Sequence, residues 1–126
     1  MAVPVPVLVV EDDPAVRETV FLVLTEEGYT VHTAEHGVAA LERIRWQSFG
    51  LILLDMEMPV MNGWTFAAAY RSLFTVHAPI VVMSGASDAR ARAVQVQANA
   101  CVAKPFDFDR LIDTVAQWTQ SGSGTR

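Results

Sequence analysis

Three short apolar runs punctuate the chain, at residues 7–10, 51–54 and 79–83, and all are rich in Val, Ile and Leu. Runs of this length are too short for buried helices and read as strands covered on both faces. Two weaker candidates, 30–33 and 101–103, each follow a helix-like stretch, where the alternation requires a strand. Helical stretches fill the spaces between: 15–27, closed by Gly28, then 38–45, 64–73, 89–97 and 107–119. In the first of these Val16, Val20, Val23 and Leu24 share a face, as do Phe108, Leu111, Ile112 and Val115 in the last. Pro14 suits a first helical turn. The stretch 89–97 alternates small or apolar residues with polar ones at a period of two, which by itself reads as a strand. Its Ala and Arg content, and the crossover that the order requires there, make it a helix.

Five strands alternating with five helices predict an α/β fold, a parallel sheet covered on both faces through right-handed crossovers. Ligands of such sheets sit beyond the carboxyl ends of the strands. On this pattern Glu11, Asp12 and Asp13 directly follow the first strand, Asp55 follows the third, Ser84 ends the fourth and Lys104 follows the fifth. All are expected at one edge.

With 126 residues and 52% hydrophobic content, the chain can bury one sizeable core, and one domain is expected over residues 1–119. The Ser/Gly-rich run at 120–126 reads as a flexible tail or the start of a linker. A formal net charge of −5 repels phosphate backbones, which argues against a nucleic-acid surface and for protein partners. The single cysteine, Cys101, cannot form an internal disulfide and suits a reducing compartment. The apolar start lacks a basic region and is broken by Pro4 and Pro6, so no signal peptide is expected, and no apolar run is long enough for a membrane span.

Carboxylates gathered at one sheet edge repel one another unless a cation joins them. An oxygen-only donor set without Cys or His suits magnesium or manganese, which keep water ligands and leave room for a phosphate oxygen. A carboxylate beside such an ion can act as a nucleophile and form an acyl phosphate. The Ser84 hydroxyl and the Lys104 ammonium could then hold phosphoryl oxygens as charge develops, with Asp55 as the acceptor.

The segments VLVVEDDPAVRE (7–18), LILLDMEMPVMNG (51–63), PIVVMSG (79–85) and AKPF (103–106) resemble, in order and spacing, the signature segments of response-regulator receiver domains. AEHGVAAL (34–41) resembles the second crossover of that family, and the likeness covers roughly 7–118. The resemblance, rather than the spacing, implies a flavodoxin-like sheet of order 2-1-3-4-5. It also implies a phosphoacceptor module of two-component signalling that is no enzyme beyond catalysing its own phosphorylation and dephosphorylation. By motif position, Glu11 and Asp12 match the acidic pair, Asp55 the phosphoacceptor, and Glu57 the residue whose backbone carbonyl meets the metal. Ser84 matches the hydroxyl position and Lys104 the lysine, followed at Pro105 by a peptide that is cis in the family. The implied cofactor is Mg2+ or Mn2+. The implied partners are a histidine kinase or phosphotransfer protein and a downstream protein or output domain, with a cytoplasmic setting and no nucleic acid or membrane. Two positions depart from the pattern: Cys101 stands where the family usually has Tyr or Phe, and Gln97 replaces a glycine that often ends the fourth helix.

Each of these residues also has a plainer use. Acids after a strand are commonly solvated loop charges, and Asp13, at a variable position, keeps that reading. Asp55 could cap a loop, Ser84 could cap a helix beginning near Ser87, and Lys104 could be an exposed strand-end charge. Met56, Met58 and Met61 read as packing, since thioethers suit soft metals. His32, His36 and His77 read as surface residues, Trp46 and Trp118 as helix packing, and Trp64 as a partly exposed neighbour of the acidic loop. Two other functions share the architecture. A magnesium-dependent phosphatase with an aspartate nucleophile needs a second Asp two residues on, where Glu57 stands, and a nucleotide- or flavin-binding module needs a Gly-rich loop after the first strand, where none occurs.

Overall fold

Each apolar run in the sequence becomes a strand. The computed structural model describes residues 6–58, 60–85 and 87–123. In chain order the elements are β1 (Pro6–Val10), α1 (Pro14–Glu26), β2 (Thr30–Ala34), α2 (Gly37–Trp46), β3 (Leu51–Asp55), α3 (Gly63–Leu73), β4 (Ile80–Gly85), α4 (Ala89–Gln95), β5 (Ala100–Lys104) and α5 (Phe108–Ser123). The strands form one parallel sheet in the order β2-β1-β3-β4-β5. The last helix reaches past Thr119, where the sequence pattern ends it: of the tail expected at 120–126, residues 120–123 continue the helix, and 124–126 lie outside the described residues.

Period-two alternation sends neighbouring strand residues to opposite faces, and both faces are covered. On one side Leu8, Val10, Ile52, Leu54, Ile80 and Val82 pack against Ala40 of α2, Phe66 and Tyr70 of α3, and Ala93 of α4. On the other, Val7, Val9, Leu51, Leu53, Val81 and Met83 pack against Val20 and Leu24 of α1 and Leu111 and Val115 of α5. Each fully buried aliphatic side chain contributes about 1.5–3 kcal/mol relative to exposure. The chain winds outward from β1 toward β2 and from β3 toward β5, which opens a crevice at the carboxyl ends of β1 and β3.

The two weak strand candidates turn out to be the sheet's edges. β2 and β5 are mostly half-buried, whereas β1, β3 and β4 are almost wholly buried, so the edges need fewer apolar residues. The fourth helix is real but ends at Gln95, two residues short of the expected 97. Its buried positions are Ala89, Ala93 and, just past its end, Val96, a helical i, i+4, i+7 set hidden within the alternating pattern, while Val94 is 73% exposed.

Several smaller expectations are corrected. Trp46 does not pack a helix: it is 76% exposed, with its indole N–H donating to Glu42 and Arg45 stacked on its ring. Trp118 does pack against the α1/α5 side of the core. Phe108, the first residue of α5, is 44% exposed and does not share the burial of Leu111 and Val115. Of the three histidines only His77 is exposed; His36 caps α2 by accepting from the Ala39 N–H, and His32 bonds with Gln47. Met56 and Met58 are buried packing, and Gly63 allows that packing, because a Cβ there would lie 2.8 Å from the Met56 Cα.

Candidate functional site: an acidic pocket at the sheet's carboxyl edge

Three of the residues expected at the edge meet there. Carboxylate oxygens of Glu11, Asp12 and Asp55 lie within 4.8 Å of one another. Glu11 leaves β1 through its N–H bond to the Ala34 carbonyl of the neighbouring strand, which aims its side chain into the crevice, fully buried. Asp55 ends β3 and is only 3% exposed, while Asp12 is half-buried. Arg17, one turn into α1, donates to the carbonyls of Glu11 and Asp12 at 2.9 and 3.3 Å and holds the acidic loop in place.

Lys104, the last residue of β5, crosses the crevice. Its Nζ donates to Glu11 Oε1 at 2.7 Å and to Asp55 Oδ1 at 3.3 Å. The Glu57 N–H also donates to Asp55 Oδ1, at 3.3 Å, and the Asp13 N–H to Glu11 Oε2, at 3.1 Å. Glu11 therefore has both oxygens engaged, whereas Asp12 keeps a carboxylate without a protein partner among the described residues. Burial, reinforced by the adjacent Glu11 charge, pushes Asp55 up to about 7 against the opposing pull of Lys104. Burial disfavours the charge on Lys104, but its bonds to Glu11 and Asp55 outweigh this and raise its pKa above the ordinary range. A pocket that crowds buried carboxylates together in this way is one that a cation relieves, and the all-oxygen donor set fits a hard divalent ion.

The plainer readings separate cleanly. Asp13 is neither metal-facing nor a free loop charge: it is the N-cap of α1, accepting from the Ala15 and Val16 N–H groups. Ser84 does not cap α4, which begins at Ala89 after Asp88; its hydroxyl is buried and accepts from Arg92 Nη1 at 2.6 Å. Glu57 points its side chain outward, 63% exposed, to Arg92, and only its backbone stays at the pocket. Lys104 is bound within the site, so it is no exposed strand-end charge, and the peptide to Pro105 is cis. Gln97, at the position of the missing glycine, adopts the left-handed backbone with φ 57°. Arg71 of α3 donates to the carbonyls of Val96 and Gln97 and ties down that turn. Neither Arg71 nor Arg92 stands out in the sequence, where each is one charge in a polar helix face.

Comparison with known proteins agrees with this geometry. The family model of the response regulator receiver domain matches residues 7–116. Among curated proteins, the cell cycle transcriptional regulator CtrA of Caulobacter vibrioides is 32% identical over 108 residues, which cover 84% of this chain and 46% of that protein. The chain thus spans about half the length of the curated relatives it matches. Among solved structures, the response regulator TrrA of Thermotoga maritima, in complex with Mg2+ and BeF, superposes with a TM-score of 0.80 at 34% identity over 90% of this chain and 97% of that one. The receiver domain of a sensor histidine kinase from Pseudomonas aeruginosa, with magnesium coordinated in its active-site cleft, gives 0.84 at 25% identity over 93% and 98%. An acidic cluster at the switch point of a 2-1-3-4-5 sheet, closed by a strand-end lysine, accompanies a family match over nearly the whole chain: this protein belongs to the response regulator receiver domain family.

Proposed function

We propose that the chain receives a phosphoryl group on Asp55 from a histidine kinase or phosphotransfer protein and passes the signal to a downstream protein or output domain. The observation that carries this reading is the gathering of Glu11, Asp12 and Asp55 within 4.8 Å, with Lys104 bonded across two of them. In this reading Asp12, Asp55, the Glu57 carbonyl and Glu11 hold Mg2+ or Mn2+, which when bound neutralises charge on the transferring phosphoryl group. An Asp55 oxygen forms the new O–P bond as the donor's bond to phosphorus breaks, and the leaving imidazole or acetate takes a proton or departs as the anion. Lys104 and the Ser84 hydroxyl hold phosphoryl oxygens as their charge develops. The work done is signalling: the protein acts only on its own acyl phosphate. The setting proposed is the cytoplasm, without contact to nucleic acid or membrane; among the described residues no helix is long and apolar enough to cross a membrane. The signalling unit is assigned to the chain through Thr119, which is buried and bonded to the Val115 carbonyl, with α5 carrying on to Ser123 as the start of a linker.

The test is the intact mass after incubation with acetyl phosphate or phosphoramidate and magnesium. One added phosphate, labile to hydroxylamine and located at Asp55, is expected; many turnovers of p-nitrophenyl phosphate per protein would instead favour a phosphatase.

A further inference from the structure

The guanidinium of Arg92 reaches from α4 into contact with three other parts of the fold. It donates to Ser84 Oγ at the end of β4 (2.6 Å), pairs with Glu57 after β3 (2.9 Å), and lies 5.4 Å from the centre of the Trp64 ring on α3. It also lies 3.5 Å from Asp88, at the start of its own helix. These contacts differ in weight. Glu57 and Asp88 are exposed, and ion pairs at such positions contribute little. Ser84 is 1% exposed, and a charge-assisted bond to a buried hydroxyl is strong and costly to lose. The bond that fixes Arg92 is therefore the one to the site's own hydroxyl.

A serine hydroxyl offers one donor and two acceptor lone pairs. With Arg92 occupying a lone pair, the single O–H is left to donate elsewhere, and donation into the oxygen strengthens it as a donor. α4 itself is held loosely: it has seven residues, no side-chain N-cap, and a broad exposed face, Arg90, Ala91, Val94 and Gln95, opposite its buried alanines. At β5, where the family usually has an aromatic, stands the half-buried thiol of Cys101, packed against the core.

We propose that Arg92 is the positioning residue through which Ser84 acts: it orients the Ser84 hydroxyl toward a phosphoryl group on Asp55 and makes α4 respond to that group. The inference rests on the phosphoacceptor reading given above. As the hydroxyl turns to donate to the phosphoryl oxygens, the guanidinium bonded to it shifts, and with it the helix and the Trp64 ring beneath.

Arg92→Met keeps the apolar stem and the helix propensity and removes every donor. With phosphoramidate and magnesium it is expected to label at Asp55 about tenfold more slowly than the wild type, because a hydroxyl no longer aimed donates poorly into the developing charge. Ser84→Ala is expected to slow labelling similarly, and the double variant no further, because two residues acting as one unit are non-additive. In the wild type, beryllofluoride with magnesium should move the amide signals of 93–98 and the indole N–H signal of Trp64. In Arg92→Met the amide signals of 55–57 should still move while those of 93–98 lose more than half their shift. Multiplicative slowing in the double variant, a full response of 93–98 in Arg92→Met, or an unmoved Trp64 indole in loaded wild type would each overturn the proposal. Absence of any label on the wild type overturns the phosphoacceptor reading instead, so the two failures are distinct.

Discussion

The centre of the sheet and its β4–α4–β5 flank are built on different principles. At β1 and β3 the backbone ends inside the close-packed core, and Glu11 and Asp55 are placed by strands whose side chains are almost all buried. At the flank, a helix of seven residues is held by a few long polar side chains, its own Arg92 reaching Ser84 and Arg71 of α3 reaching the Val96 and Gln97 carbonyls just past its end. Close-packed cores resist displacement, while regions held by few buried contacts open at low free-energy cost. The difference suits the proposed switch: the acidic pocket sits in the close-packed centre, and the flank is placed by a few hydrogen bonds.

The comparison can be broken most directly at its rigid pole. Asp55→Asn is expected to reduce acyl-phosphate labelling to background by intact mass, and normal labelling of that variant would falsify the acceptor assignment. Leu53→Ala, on a fully buried β3 position, is expected to cost about 3 kcal/mol in urea unfolding, whereas Val94→Ala on the exposed face of α4 should change stability by less than about 0.5 kcal/mol. Comparable losses at the two sites would erase the contrast. Between adjacent acids the effects should separate by kind. Asp12→Ala should weaken magnesium binding by about tenfold or more in calorimetric titration, while Asp13→Ala leaves it within about twofold and costs about 1 kcal/mol as a lost helix cap. Equal losses of magnesium affinity would count against the division of roles. The smallest effect has the opposite sign: Gln97→Gly should stabilise by roughly 0.5–1 kcal/mol, because φ 57° is strained for glutamine and free for glycine. A destabilised glycine variant would mean that the Gln97 side chain, and not the Arg71 bonds to the backbone, secures the turn.

The two poles also differ in how well the sequence reveals them. The buried strands are legible because burial on both faces forces unbroken apolar runs, and the edge strands only through their place in the order. The acidic pocket is legible because chemistry there is tied to strand ends, so Glu11, Asp12, Asp55 and Lys104 could be placed before any coordinates. Asp13 shows the limit: as a third acid it looks like a loop charge, yet its position before Pro14 makes it a cap. The flank is least legible. The buried set of Ala89, Ala93 and Val96 hides within a period-two alternation, and Arg71 and Arg92 act through long side chains whose reach leaves no periodic trace. Phe108 and Trp46 fail for a related reason, since a helix pattern gives the apolar face but not where the core beneath it stops.

The ion pair between Glu11 and Lys104 joins residues 93 apart in the chain, and that between Asp55 and Lys104 joins residues 49 apart. No local segment can assemble the acceptor: β1, β3 and β5 must all be in register before the ammonium arrives. Contacts of such sequence separation form late, since loop-closure entropy is lost before they return any free energy. A chain whose fifth strand has not docked lacks the Lys104 counter-charge to Glu11 and Asp55, so the acidic pocket is complete only once all three strands are in place. On the phosphoacceptor reading proposed above, labelling at Asp55 therefore doubles as a test of completed folding.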